Sequence, residues 1–230
     1  MKILKRVVGL VFVVGAFIGG WTMRGAFLGG GKDAPRTTAA PAPVPALLEG
    51  VPDVRQSTPY SCGASALQAV LHYYGIESRE DSLMRECRTT EKDGTRPEDI
   101  LRVAKTHGLR AVMKEGLSLN DLEIALWEKI PVIAAIQAWT AETGPKFSWA
   151  KAWEDGHYVI VLGLDDKNIY VEDPSLLGSR GTIPRLEFLD RWHDYQGQPP
   201  FDAADRAYVR MGIFIEGPKA EKPVPFRRVE

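Results

Sequence analysis

Two apolar runs, Tyr158–Leu164 and Ile169–Glu172, joined by Asp165-Asp166-Lys167-Asn168, constrain the fold more than any other stretch of the chain. The joining residues are turn chemistry, and the flanking runs read as the two strands of a hairpin. A hairpin this apolar has to be covered by other elements. The candidates come earlier and are helical. Ala64, Leu67, Val70, Leu71 and Tyr74 recur at helical spacing in the run Cys62–Tyr74, with Gly75 at the C-cap position. A short helix is expected over Arg79–Cys87. Thr95-Arg96-Pro97-Glu98 reads as a capping box with proline in the first turn, starting a helix to His107 that Gly108 ends. A further helix over Leu119–Lys129 begins at Ser118 and is stopped by Pro131. Leu109–Met113, the buried run Val132–Trp139 and the closing run Tyr208–Ile215 are expected strands, and Arg185–His193 a late helix. Helices early and strands late imply an α+β fold, an N-terminal helical part packed on a mostly antiparallel sheet.

The ends of the chain have a different character. Lys2, Lys5 and Arg6 precede the uncharged run Val7–Met23, with Trp21 near its end. That run is at the short end for crossing a hydrocarbon layer of ~30 Å, and it reads as a membrane anchor. A cleaved signal peptide is the competing reading, with Thr38-Ala39-Ala40 as a possible site. The anchor is preferred because the apolar run exceeds a usual signal core, and the short basic tail puts the N-terminus in the cytoplasm and the bulk of the chain outside. Residues 29–46, rich in Gly, Ala, Thr and Pro, form a linker that cannot bury a core. The folded domain is expected over residues 47–217, long enough for one core, with a loose tail from Pro218 to Glu230. A formal net charge of −1 with no strongly basic segment excludes a nucleic-acid footprint. Cys62 and Cys87 are too few for a disulfide framework, and no Cys/His pair has metal-ligand spacing, so neither metal nor cofactor is expected.

Chemistry concentrates on Gln56, Cys62, His157 and Asp173. Cys62 opens its helix after the turn Gln56–Ser61, where unpaired N–H groups and the helix dipole favour a thiolate. Gly63, Ala64 and Ser65 behind it are small and leave room for a substrate carbonyl. The bland alternatives are an inert buried thiol and a Cys62–Cys87 bridge. His157 begins one strand of the hairpin and Asp173 ends the other. With the turn centred near Asp165-Asp166, His157 opposes position 174, so the carboxylate can fix the imidazole's tautomer. Gln56, beside the helix N-terminus, can donate to a developing oxyanion together with the Cys62 N–H. These are the parts for acyl transfer through a thioester. Trp149 and Trp153, with Gly156, are candidates for a substrate cleft, whereas Trp139 is expected in the core. His72, His107, His193 and Cys87 are read as structural.

The stretch Val51–Gly63 with its Gln-x5-Cys, Gly94–Gly108, Pro131–Trp139, and Gly156-His157-Tyr158 through Asp173-Pro174-Ser175 together resemble the papain-like cysteine peptidases, and within them the double-glycine leader peptidases that trim bacteriocin precursors. The resemblance covers Gly50–Gln196. It implies a papain-like cysteine peptidase fold with Cys62 as nucleophile, His157 as general acid/base, Asp173 as orienting carboxylate and Gln56 as oxyanion donor. Such peptidases are commonly fused to a transporter; this sequence shows no transporter spans or nucleotide loop, so the triad carries over better than the leader specificity. The resulting expectation is a thiol peptidase acting on a peptide or protein at the extracytoplasmic membrane face. Transpeptidation on the same triad and a tethered peptide-binding domain without turnover are the rival readings.

Overall fold

A computed structural model describes residues 46–218 apart from Thr143 and Gln198. The expected anchor, most of the linker and most of the tail lie outside the described residues. Among those described, no helix is long and apolar enough to cross a membrane. The elements in order are β1 (Ala46–Leu47), α1 (Cys62–Tyr73), α2 (Glu80–Glu86), α3 (Pro97–Thr106), β2 (Arg110–Lys114), α4 (Leu119–Trp127), β3 (Val132–Gln137), a 3₁₀ turn (Trp149–Lys151), β4 (Gly156–Leu164), β5 (Asn168–Glu172), β6 (Gly181–Pro184), α5 (Arg185–Arg191), β7 (His193–Gln196), β8 (Arg206–Val209) and β9 (Gly212–Glu216).

The main sheet runs β2-β9-β3-β4-β5-β6, with β1 also paired to β4; β7 and β8 form a separate ribbon. Every pairing between these strands is antiparallel. The fold is α+β, with the early helices packed on an antiparallel sheet, as expected. Helix α1 packs on β4, α2 and α3, while α4 covers β1 and β4. Strand β4 lies inside the sheet between β3 and β5, and from His157 to Leu164 it is buried throughout. Packing at this seam is tight. A methyl group on Gly63 would lie 2.7 Å from Thr95 Cβ, 3.0 Å from Tyr158 Cδ2 and 3.1 Å from Ile100 Cδ1. Glycine is required there by close approach of α1 to β4 and α3, which replaces the expectation that Gly63 leaves room for substrate.

Several boundaries depart from the sequence reading for local reasons. Thr95 does not cap α3. Arg96 is the N-cap without a side-chain bond, and Thr95 Oγ1 instead meets Thr89 Oγ1 at 2.7 Å in the interior. Ser118, in contrast, forms a full capping box with Asp121. Helix α4 stops at Trp127, and Lys129 turns into the left-handed region at φ 59° before Pro131. The expected closing strand is two strands, broken where Arg210 adopts φ 49°. Helix α5 ends at Arg191, and His193 starts β7 rather than closing the helix. Ala46, placed in the linker, already pairs with Leu164.

Candidate active site

The turn before α1 is fixed from both sides. Thr58 N–H donates to Ser61 Oγ at 3.1 Å and Ser61 Oγ returns to the Thr58 carbonyl at 3.1 Å. Glu80 of α2 accepts from Ser57 N–H at 2.9 Å and from Ser65 Oγ at 2.8 Å. Burial opposes the Glu80 charge, but these donors outweigh it and hold the carboxyl below its ordinary value. The same turn is stitched to the far end of β5. Gln56 N–H donates to the Pro174 carbonyl at 2.9 Å, Ser175 Oγ donates to Gln56 Oε1 at 3.1 Å, and Arg55 Nη1 donates to the Ser175 carbonyl at 2.6 Å. Segments more than a hundred residues apart are thereby fastened, and Cys62 at the head of α1 is carried to the mouth of the β4–β5 hairpin.

There His157 Nε2 donates to Asp173 Oδ1 at 2.6 Å. The observed register pairs Ile160 with Glu172 and Val161 with Val171, and shifts between Val161 and Gly163. Extrapolated past the last pair, it sets His157 opposite position 175, one residue from the expected 174. Asp173 receives two further donors, Ser175 N–H at 2.8 Å on Oδ1 and the Trp139 indole at 3.2 Å on Oδ2. Burial opposes ionisation of Asp173, but His157, Ser175 and Trp139 outweigh it, and the carboxyl sits below its ordinary value. Burial likewise opposes a charged His157. The Asp173 bond, the hydrogen bond and charge of Cys62, and the charge of Asp173 prevail and raise the imidazole to about 10. With Nε2 committed to Asp173, Nδ1 is the nitrogen left for the sulfur.

Both cysteines are free, so the Cys62–Cys87 bridge does not exist. Burial, with Asp99 nearby, pushes the Cys87 thiol up to about 12, a protonated and inert group at neutral pH. Gln56 Nε2 donates to the Thr58 carbonyl at 2.8 Å, which uses one of its two amide hydrogens.

The tryptophans separate into two groups. Trp139, expected in the core, is 57% exposed with φ 62°, because β3 ends at Gln137 and the chain turns sharply out of the sheet. Trp139, Phe147 and Trp149 line a cleft of about 490 Å³ that reaches Asp173. Trp153 lies elsewhere. It stacks on Phe201 at 4.2 Å and tilts against His193, whose Nε2 meets the Ala152 carbonyl at 2.6 Å. Gly156 is exposed, and the Asp194 carboxylate occupies the space a side chain would need; a methyl group on Gly156 would lie 2.5 Å from Asp194 Oδ1.

Sequence reasoning missed four contributors: Trp139, Ser175, Glu80 and the pair Glu172–Arg180. Glu172 is fully buried, accepts from Val54 N–H at 2.8 Å and is ion-paired with Arg180, which also donates to the Val51 carbonyl at 2.6 Å. This latch holds the irregular segment leading to Gln56 against β5. Only Ser175 had a sequence signal, its place after Asp173-Pro174. His72 and His107 are structural, bonded to the Ser78 carbonyl at 3.0 Å and Glu86 at 2.8 Å.

Comparison with known proteins places the chain in a family. The model of the Peptidase C39 family matches residues 51–196. An uncharacterized protein of Methanothermobacter thermautotrophicus (strain Delta H) is 30% identical over 135 residues, 59% of this chain and 78% of that protein. An uncharacterized protein of Methanothermobacter marburgensis is 30% identical over 125 residues, 54% of this chain and 71% of its own. Among solved structures, a C39-like peptidase from Bacillus anthracis has the same fold, with a TM-score of 0.56 at 18% identity over 76% of this chain and 99% of that one. The chain belongs to the peptidase C39 family and is a papain-like cysteine peptidase.

Proposed function

We propose that this peptidase cleaves peptide amide bonds through Cys62, His157 and Asp173, with Gln56 and the Cys62 N–H receiving the oxyanion. The observation that carries the reading is the buried His157–Asp173 bond of 2.6 Å at the point where the Gln56 stitch delivers the head of α1. Cys62 Sγ, its proton already passed to His157 Nδ1, attacks the carbonyl carbon, and the oxygen gains charge between the two N–H donors. His157 Nδ1 then gives its proton to the leaving amine, whose C–N bond breaks. Water, deprotonated by the same nitrogen, attacks the thioester and releases the acid and the thiol. Asp173 holds Nε2–H and keeps Nδ1 aimed at the sulfur throughout.

The test is labelling of the full chain with an electrophilic peptide probe, mapped by mass spectrometry. A single adduct at Cys62 is expected, absent in Cys62→Ala and at least ten-fold slower in His157→Ala. Cys87 reacts only after unfolding. Undiminished labelling of Cys62→Ala would transfer the chemistry to Cys87 and end the assignment.

The domain works at the extracytoplasmic face of a membrane in this proposal, a reading supported by Lys2, Lys5 and Arg6 ahead of Val7–Met23. Digestion of intact cells and of lysed cells by an added protease tests it. Protection of the domain in cells with a permeable outer barrier is the contrary result.

A further inference from the structure

The cleft beside Asp173 is not used by any step above. Its walls are the loop between β3 and β4, β5, β6 and α5. Ile136, Val171, Leu176 and Ile183 form its floor and sides, and the Phe147 and Trp149 rings, edge to face at 4.8 Å, form its outer rim. The loop is closed at its base by two bonds, Ala138 N–H to the Asp155 carbonyl at 2.9 Å and Asp155 N–H to Gln137 Oε1 at 2.9 Å. Arg191 and Glu187 on the wall are spent on each other, at 2.5 and 2.9 Å, and the guanidinium also lies over the Trp149 ring at 3.5 Å. An acidic side chain presented to this cleft would meet the Glu142 and Asp173 carboxylates, while the lining cation Arg191 is already paired with Glu187. A large apolar side chain would find an apolar surface of suitable size.

Its position relative to the sulfur decides which part of a substrate it meets. Asp173 binds His157 through Oδ1 and the cleft-lining Trp139 through Oδ2, so the cleft opens on the imidazole side of Cys62. In thioester formation the acyl half stays on sulfur and the amine half takes its proton from the imidazole. The leaving nitrogen must therefore come within hydrogen-bond reach of His157 Nδ1, and the residues C-terminal to the scissile bond depart over the ring. Trp139 marks the junction. It holds a left-handed backbone that a bulky residue rarely adopts, a strain that persists where the surroundings over-determine it, as its bond to Asp173 does here.

We infer that the cleft is the subsite for the leaving-group half of the substrate, and that it selects a large apolar side chain at the first or second residue after the cleaved bond. The inference rests on the proposed role of Cys62 and His157.

The test is digestion of a proteome-derived peptide library by the full-length chain, with identification of the new N-termini. Cys62→Ala serves as control. Leu, Phe, Met and Trp should be enriched on the order of 10-fold over Gly, Asp and Glu at one of the two positions. Phe147→Ala and Ile183→Asp, with folding checked by circular dichroism, should each collapse that ratio toward one. If cleavage is Cys62-dependent but indifferent to those positions, or the ratio survives both substitutions, the subsite is refuted while the catalytic reading stands. If no cleavage depends on Cys62, the catalytic reading fails and the subsite with it.

Discussion

Adding one methyl group behind the proposed nucleophile Cys62, Gly63→Ala, tests whether the seam between α1 and β4 sets the site. Carbon–carbon contacts settle at about 3.5 Å or more, and the new methyl would start 2.7 Å from Thr95 Cβ, a deficit of about 0.8 Å. Two other carbons, Tyr158 Cδ2 at 3.0 Å and Ile100 Cδ1 at 3.1 Å, block the alternative directions. Ile100 and Tyr158 are buried side chains, so neither can swing away into solvent. Overpacking of this kind costs about 1–3 kcal/mol, and the better helix propensity of alanine returns at most about 1 kcal/mol. A net loss of about 1–2 kcal/mol is expected, which for a domain of this size lowers Tm by roughly 2–8 °C. The functional loss should exceed the stability loss. Cys62 precedes Gly63, and His157 precedes Tyr158, so separating the second pair separates the first. A misplacement of ~1 Å can cost ~100-fold in rate, and a shift shared between helix and strand should cost about 10-fold. Thermal unfolding and the rate of Cys62 alkylation are the measurements. A variant as stable as the parent, alkylated at the parental rate, would show that the neighbours yield freely and that the seam does not position the sulfur.

Two further outcomes follow from buried charge. His157 keeps its proton up to about 10 in the folded chain but only to its ordinary 6.5 when unfolded, so its contribution is complete below pH 6.5 and is lost as pH rises through 10. Asp173, held low, contributes above its ordinary 3.8 and loses that contribution as pH falls below it. The unfolding free energy of the parent relative to His157→Gln should thus shrink steadily from pH 6.5 to pH 10 in denaturant titrations; a difference flat across that range would contradict the ion-pair assignment. Arg180→Ala strands the buried Glu172 carboxylate, and because Arg180 is itself partly exposed the cost should be about 2 kcal/mol rather than the full ~3–5 kcal/mol. Adding Glu172→Gln should recover about half of it in a double-mutant cycle, and strict additivity would dismiss the latch.

The parts of the fold legible in the sequence were those in which local chemistry and tertiary environment agree. The Asp165–Asn168 turn, the Gly75 and Gly108 helix ends and the helix start at Ser118 are satisfied by neighbours within a few residues. The near-opposition of His157 and Asp173 followed from counting across that turn, and the bulge between Val161 and Gly163 changed the register by a single step. What stayed hidden depends on distant partners. Strands β6, β7 and β8 have four residues each and mixed burial, too short for a periodic signal. Thr95 carries a capping signature yet is recruited to the interior by Thr89. Trp139 reads as core by composition, and only the end of β3 and the Asp173 acceptor turn it outward. Gly63 reads as spacious until Tyr158 and Ile100 are set against it.

The order of strands in the main sheet governs when the sulfur can act. Strand β9, the last of the described strands, sits between β2 and β3, and β3 in turn borders the strand that bears His157. A growing chain exposes its thiol early, but His157, the ring proposed to arm it, has no firm seat until Gly212–Glu216 has emerged and inserted. On the proposed chemistry, synthesis therefore supplies its own delay: a nascent molecule is unable to cut itself or its neighbours before residues 212–216 have been made.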